Sequence, residues 1–170
     1  MPDEFTGGVG KEGVENLRKF VEAGGTLVFL NRASNFAIEQ FNLPIRDVTK
    51  GLARKDFYIP GSILRTELDT TSPIAKGMPA ESIAWFENGP AFEYTGNSNE
   101  QNYFVIAKYP TEPKQILLSG WALGAEKIAG KAALVVVTMG KGKIVLFGFR
   151  PQYRGQSLAT FPLLFNAISQ

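Results

Sequence analysis

The sequence predicts an α/β domain, a sheet flanked by helices, and three stretches carry that expectation. Near the start, an amphipathic run, a double glycine and the apolar segment Thr26-Leu27-Val28-Phe29-Leu30 follow one another. Near the end, two strand-like runs, 132–138 and 143–149, flank Met139-Gly140-Lys141-Gly142. Between them lie short β-branched and aromatic runs divided by Gly, Pro and Asn clusters. With 170 residues, 44% of them hydrophobic, the chain can bury a sizeable core, and 1–170 reads as a single domain.

Taken in order, Val14, Leu17, Phe20 and Val21 are spaced to share one helical face. Glu12 and Glu15 suit the positive end of its dipole, and Gly24-Gly25 supplies a left-handed stop. Residues 26–30, apolar on both faces, read as an interior strand of a parallel sheet. A right-handed crossover into that strand needs another strand ahead of the helix, which residues 1–7 do not supply. The fold's first strand is therefore expected to lie outside this sequence or to be absent. Ser34 is expected to cap a short helix carrying Phe36, Ala37 and Phe41. Further strands are expected at 62–68, 83–86, 91–94, 103–109 and 115–119, with Ser72-Pro73 opening a short helix. The glycines at 140 and 142 allow the tight turn of a hairpin spanning about 132–149. Residues 158–168 read as a last helix, with Pro162 in its first turn.

Composition narrows the function. There is no Cys and no His, so no thiolate nucleophile, imidazole base or Cys/His metal site can form. The net charge is +2 and the Lys and Arg residues are scattered, which argues against nucleic acid as a partner. No apolar stretch reaches the roughly 20 residues that span a bilayer, so no membrane partner is expected. Carboxylates that could hold a metal come no closer than pairs such as Glu67 and Asp69, and these read as a solvated strand edge. Glu81, Glu87 and Glu93 lie near aromatics but follow no glycosidase pattern. Neither catalytic residues nor metal ligands are expected.

Two motifs invite a ligand. Gly8, Gly10 and Gly13 match the G-x-G-x-x-G dinucleotide fingerprint, and Arg32 past the next strand could meet the 2′-phosphate of NADP. The fingerprint must follow a strand, however, and a glycine-rich lead-in to the helix explains it without a cofactor. The second motif, residues 149–156, leaves a buried strand where open α/β sheets place ligands. There Arg150 and Arg154 flank Tyr153 and could clamp a carboxylate or phosphate. The plainer reading is that they anchor the last loop. The candidate ligand residues are Asn31, Arg32, Arg150, Gln152, Tyr153 and Arg154.

An ordered set of stretches adds a family resemblance. They are Gly7-Gly8-Val9-Gly10 with Glu12-Gly13, residues 17–28, Pro60-Gly61-Ser62-Ile63-Leu64, Gly77-Met78, Leu118-Ser119-Gly120-Trp121, residues 140–152, and Leu164-Phe165-Asn166-Ala167. Together they resemble the C-terminal domain of bacterial proteins related to zinc carboxypeptidases of the carboxypeptidase A type. That domain looks like the class I glutamine amidotransferase fold, flavodoxin-like, with a mainly parallel sheet. Working amidotransferases of this kind place a Cys at a sharp turn after a strand and carry a late His-Pro-Glu. Here Asn31-Arg32-Ala33 stands in the nucleophile's topological place, and Arg150-Pro151-Gln152 resembles His-Pro-Glu with both chemical residues replaced. Gln152 is no carboxylate and Arg150 stays protonated. The resemblance thus implies a non-catalytic accessory domain of a zinc-carboxypeptidase-like protein. It would pack against the adjacent peptidase domain of the same polypeptide or bind a small molecule or glycan. Zinc would belong to that peptidase domain alone, and the parent would be secreted or periplasmic. The alternatives are a stand-alone binding module for an anionic small molecule or glycan, or an NADP-binding or Ser/carboxylate-dependent enzyme.

Overall fold

The computed structural model describes Pro2, residues 7–97 and residues 102–169. Helix α1 (Gly10–Glu22) leads through Gly24, at φ 119°, into β1 (Thr26–Leu30). At Gly25 a Cβ would meet the half-exposed Phe20 ring, which would have to turn aside. The chain continues through α2 (Ala33–Gln40), β2 (Ile45–Asp47), β3 (Ser62–Leu68), β4 (Glu81–Phe86) and β5 (Phe92–Tyr94). Then come β6 (Tyr103–Lys108), β7 (Leu117–Ser119), the hairpin β8 (Ala132–Met139) and β9 (Gly142–Phe147), and finally α3 (Phe161–Ile168). Ser72 caps a 3-10 turn at Pro73–Ala75, its Oγ accepting from the Ile74 amide at 3.3 Å.

The sheet order is β1-β9-β8-β6-β3-β4, with β7 beside β3, β5 beside β8 and β2 beside β5. Its helices lie on both faces. The expectation of a mainly parallel sheet needs correction. Among the described residues only β1 and β9 run parallel, and every other pairing is antiparallel. The cause lies in the connections. A parallel neighbour needs a long crossover, usually a helix, and no α-helix lies between α2 and α3 among the described residues. The strand expected to be interior, β1, instead ends the strand order: among the described residues β9 alone pairs with it as a strand, and its residues are half-buried. Strand β2 had no forecast at all; three residues are too few for a period to show.

Period-two alternation sorts β9 into two cores. Ile144 and Leu146 pack with Val21, Ala37 and Phe41 beneath α1 and α2. Val145 and Phe147 pack with Phe149, Leu163 and Ala167 beneath α3. Ser34 does not cap α2 as expected; the cap position is Arg32. The fully buried Ser34 hydroxyl sits near the Phe147 carbonyl at 3.0 Å and the Phe29 carbonyl at 3.4 Å, pinning α2 to β9 and β1. Ser34→Ala is expected to lower stability by about 1–2 kcal/mol in urea unfolding, because a buried acceptor loses its donor. An unchanged midpoint would mean that the pin carries no weight.

On β5, Glu93 is bonded by both Lys131 and Arg46. The Lys131 ammonium first, and Arg46 next, hold its carboxyl below the usual carboxylate range. A depressed folded-state pKa adds stability that is present above the unfolded value, about 4.3, and is lost as pH falls through the folded one. The melting temperature should therefore fall further between about pH 5 and pH 3 in the parent than in Glu93→Gln. These groups are partly exposed, so the difference is roughly 1–3 °C. Parallel curves would remove Glu93 from the account of acid stability.

Candidate functional site

The parallel strands β1 and β9 end side by side, and both hand the chain to a turn at the same sheet edge. After β1 comes Asn31 in the left-handed region, at φ 51° and 7% exposed, followed at once by α2. After β9 come Gly148, the buried Phe149, Arg150 and Gln152. A third segment, Glu87-Asn88-Gly89-Pro90 between β4 and β5, crosses over both. A Cβ on Gly89 would overlap the Gly148 carbonyl oxygen and Asn31 Oδ1, and one on Gly148 would overlap the Pro90 carbonyl. The two glycines thus let three backbones meet at one point.

The meeting point forms a cleft of about 540 Å³ lined by Leu30, Asn31, Arg32, Ala33, Glu87, Asn88, Arg150 and Gln152. Four of the six sequence candidates, Asn31, Arg32, Arg150 and Gln152, are brought together there. Tyr153 and Arg154 are not in its lining. Tyr153 stacks on Trp85 with ring centroids 4.9 Å apart and 14° between planes, and Arg154 lies 5.2 Å from the Tyr153 ring. Arg150 and Arg154 both sit near that ring, and of the two only Arg150 lines the cleft.

Each charged group in the cleft is held. Arg150 Nη2 lies 3.2 Å from Glu87 Oε2, an ion pair whose alignment falls short of a hydrogen bond. The Arg150 amide donates to the Trp85 carbonyl at 3.2 Å. Arg32 Nε donates to the Asn88 carbonyl at 3.3 Å. Asn88, also left-handed at φ 45°, exchanges backbone and side-chain bonds with Ile59. Two buried acceptors, Asn31 Oδ1 and Glu87 Oε2, have no hydrogen-bond donor among the described residues. Strained residues and orphaned polar atoms are each costly in a folded chain, and here they coincide in one cleft.

The sequence missed Glu87 and Asn88 as cleft residues. Their Asn-Gly-Pro context marks a turn, but nothing local says which sheet edge that turn reaches. Other carboxylates singled out from the sequence are engaged elsewhere. Glu67 pairs with Lys108 at 3.3 Å, Asp69 accepts from Thr71, and Glu81 pairs with Arg65. Gly8, Gly10 and Gly13 stand at the entry to α1, outside the cleft that holds Arg32.

No family model matches the sequence, and no curated protein matches it. Solved structures do match. A protein assigned as a GMP synthase component from Thermoplasma acidophilum superposes with a TM-score of 0.54 at 9% identity, over 93% of this chain and 63% of that one. A ThuA-like protein from Parabacteroides merdae gives 0.53 at 13% identity, over 94% of this chain and 66% of that one. A β-galactosidase from Bacillus circulans sp. alkalophilus gives 0.55 at 16% identity, over 94% of this chain but 20% of that one. The chain therefore spans less than two thirds of the first two and a fifth of the third. Likeness at this level establishes the fold alone: a flavodoxin-like α/β domain with a sheet flanked by helices.

Proposed function

We propose that this chain is a non-catalytic binding domain whose cleft at the β1 and β9 edge takes a small anionic molecule, a carboxylate or a phosphate. The observation that carries the reading is the convergence of two guanidinium groups, Arg32 and Arg150, with strained Asn31 and Asn88 on one indentation. Fixed guanidinium forks suit carboxylate and phosphate oxygens. The amides of Asn31 and Gln152 add neutral donors and acceptors beside them. By the resemblance, the turn Asn31-Arg32-Ala33 stands where a related enzyme would keep its nucleophile and Arg150 where it would keep its base, which favours binding over turnover.

The domain acts as an accessory module of a larger, zinc-carboxypeptidase-like polypeptide, secreted or periplasmic, and packs against its peptidase domain. The parentage rests on the resemblance in sequence. That this fold makes up a fifth of a β-galactosidase chain supports the notion of a module within a larger protein.

A thermal-shift series with acetate, butyrate, glutarate, inorganic phosphate and, for contrast, glucose and galactose tests the binding reading. At least one anion at 100-fold its Kd should stabilise the protein by about 2.7 kcal/mol, and the gain should disappear in Arg32→Gln and Arg150→Gln. Stabilisation by the neutral sugars alone would replace the anion with a glycan. No shift from any compound would remove the binding role.

A further inference from the structure

A second indentation of about 450 Å³, lined by Thr49, Leu52, Arg54, Phe57 and Tyr58, shares Arg32 and Asn88 with the first. The two adjoin, and the bonded pair Arg32 and Asn88 lines both halves of the groove. We propose that this groove takes an elongated dianion: one anionic group sits between Arg150 and Arg32, and the other, a few carbons away, at Arg54. The inference rests on the anion-binding reading above and adds a second, separate charge site to it.

Three observations carry it. The first is that Arg54 is presented, not loose. Its Cζ lies 4.1 Å from the Tyr58 ring centroid, and its Nη2 donates to the Tyr58 hydroxyl at 2.7 Å. Tyr58 in turn is fixed by paired backbone bonds with Leu123, at 3.0 and 3.1 Å. A guanidinium held by a ring face and a hydroxyl keeps its remaining N–H groups in a set direction.

The second observation is that neither Arg32 nor Arg54 has a carboxylate within ion-pair distance among the described residues. The Arg32 guanidinium is held by its bond to the Asn88 carbonyl.

The third is the charge balance of the walls. The combined lining carries three guanidinium groups, Arg32, Arg54 and Arg150, against one carboxylate, Glu87, which already faces Arg150. Asp47 lies behind Thr49 and does not line the groove; its oxygens accept from Asn35 Nδ2, the Thr49 amide and hydroxyl, and the Ala91 amide. Two positive charges thus remain uncompensated on the walls, and a cleft of one sign concentrates ligands of the opposite sign. Leu52 and Phe57, which line the second indentation with Arg54, suit a short aliphatic spacer.

The test compares ligands that differ by one charge. Isothermal titration of the purified protein with succinate, glutarate and adipate is set against butyrate, valerate and hexanoate of the same carbon count. At least one dicarboxylate should bind 10-fold or more tightly than its monocarboxylate partner. Arg54→Gln should abolish that ratio and leave monocarboxylate affinity within about twofold. Arg32→Gln should weaken both classes. Equal affinity for the two classes, or a dicarboxylate advantage that survives Arg54→Gln, overturns the second site while leaving the first intact. Failure of every carboxylate to bind overturns the dianion site, and the absence of a thermal shift from inorganic phosphate as well overturns the first.

Discussion

Phe147→Ala is expected to lower the unfolding free energy by about 3–5 kcal/mol, a large share of what holds a domain of this size together. Phe147 is fully buried at the end of β9. Leu30 of β1 is its register partner on one side and Leu134 of β8 on the other. Its ring meets Phe149 edge-on with centroids 5.6 Å apart, and its carbonyl faces the Ser34 hydroxyl. Truncation leaves a cavity where strands on both sides and the α3 layer all converge, so little of it can collapse. Urea unfolding should show a lower midpoint at an unchanged slope. Phe165→Ala on the outward side of α3, where the ring is 62% exposed, serves as the comparison and should cost far less. Equal losses from the two would mean that Phe147 is not packed between β1, β8 and the α3 layer.

The second large effect concerns the glycine on which the cleft depends. Gly89→Ala is expected to cost about 1–3 kcal/mol, or roughly 2–10 °C in melting temperature for a chain of this size. The added methyl would overlap a backbone oxygen, that of Gly148, and the Asn31 side chain. Backbone cannot rotate aside as a flexible side chain can, so the 87–90 segment must lift away from β9. Because Arg32 is tied to the Asn88 carbonyl, the same displacement disturbs its guanidinium and should blunt any anion response. Gly8→Ala is the control: its Cβ meets nothing and its φ is ordinary. A Gly89→Ala protein as stable as Gly8→Ala would contradict the close crossing of the three segments.

Local chemistry in this chain was largely legible. Helix α1, strand β3, the hairpin β8–β9 and the Ser72 cap follow from periodicity, glycine placement and hydroxyl capping, all of which act within a few residues. Strand direction was not legible, since a run such as 26–30 looks alike whether it ends a sheet or lies inside one. Ser34 shows the same limit: a hydroxyl ahead of a helix reads as a cap, yet tertiary packing turned it toward the carbonyls of two strands. The cleft was half legible. Asn31, Arg32, Arg150 and Gln152 follow from strand ends and from the resemblance to amidotransferases. Glu87, Asn88 and Arg54 lie in irregular segments whose destination only the assembled sheet decides. Tyr153 and Arg154 looked equivalent to Arg150 along the chain, but Tyr153 stacks on Trp85 with Arg154 near its ring, and neither lines the cleft.

Amide resonances of isotope-labelled protein, followed during titration with glutarate, report most directly on whether this sheet edge binds anions. The largest shifts should fall on Asn31, Arg32, Ala33, Asn88 and Arg150 and should saturate together, while the amides of the β8–β9 hairpin tip stay still. Saturating shifts centred on any other surface, or none at the crossing of the three segments, would contradict the assignment of the cleft.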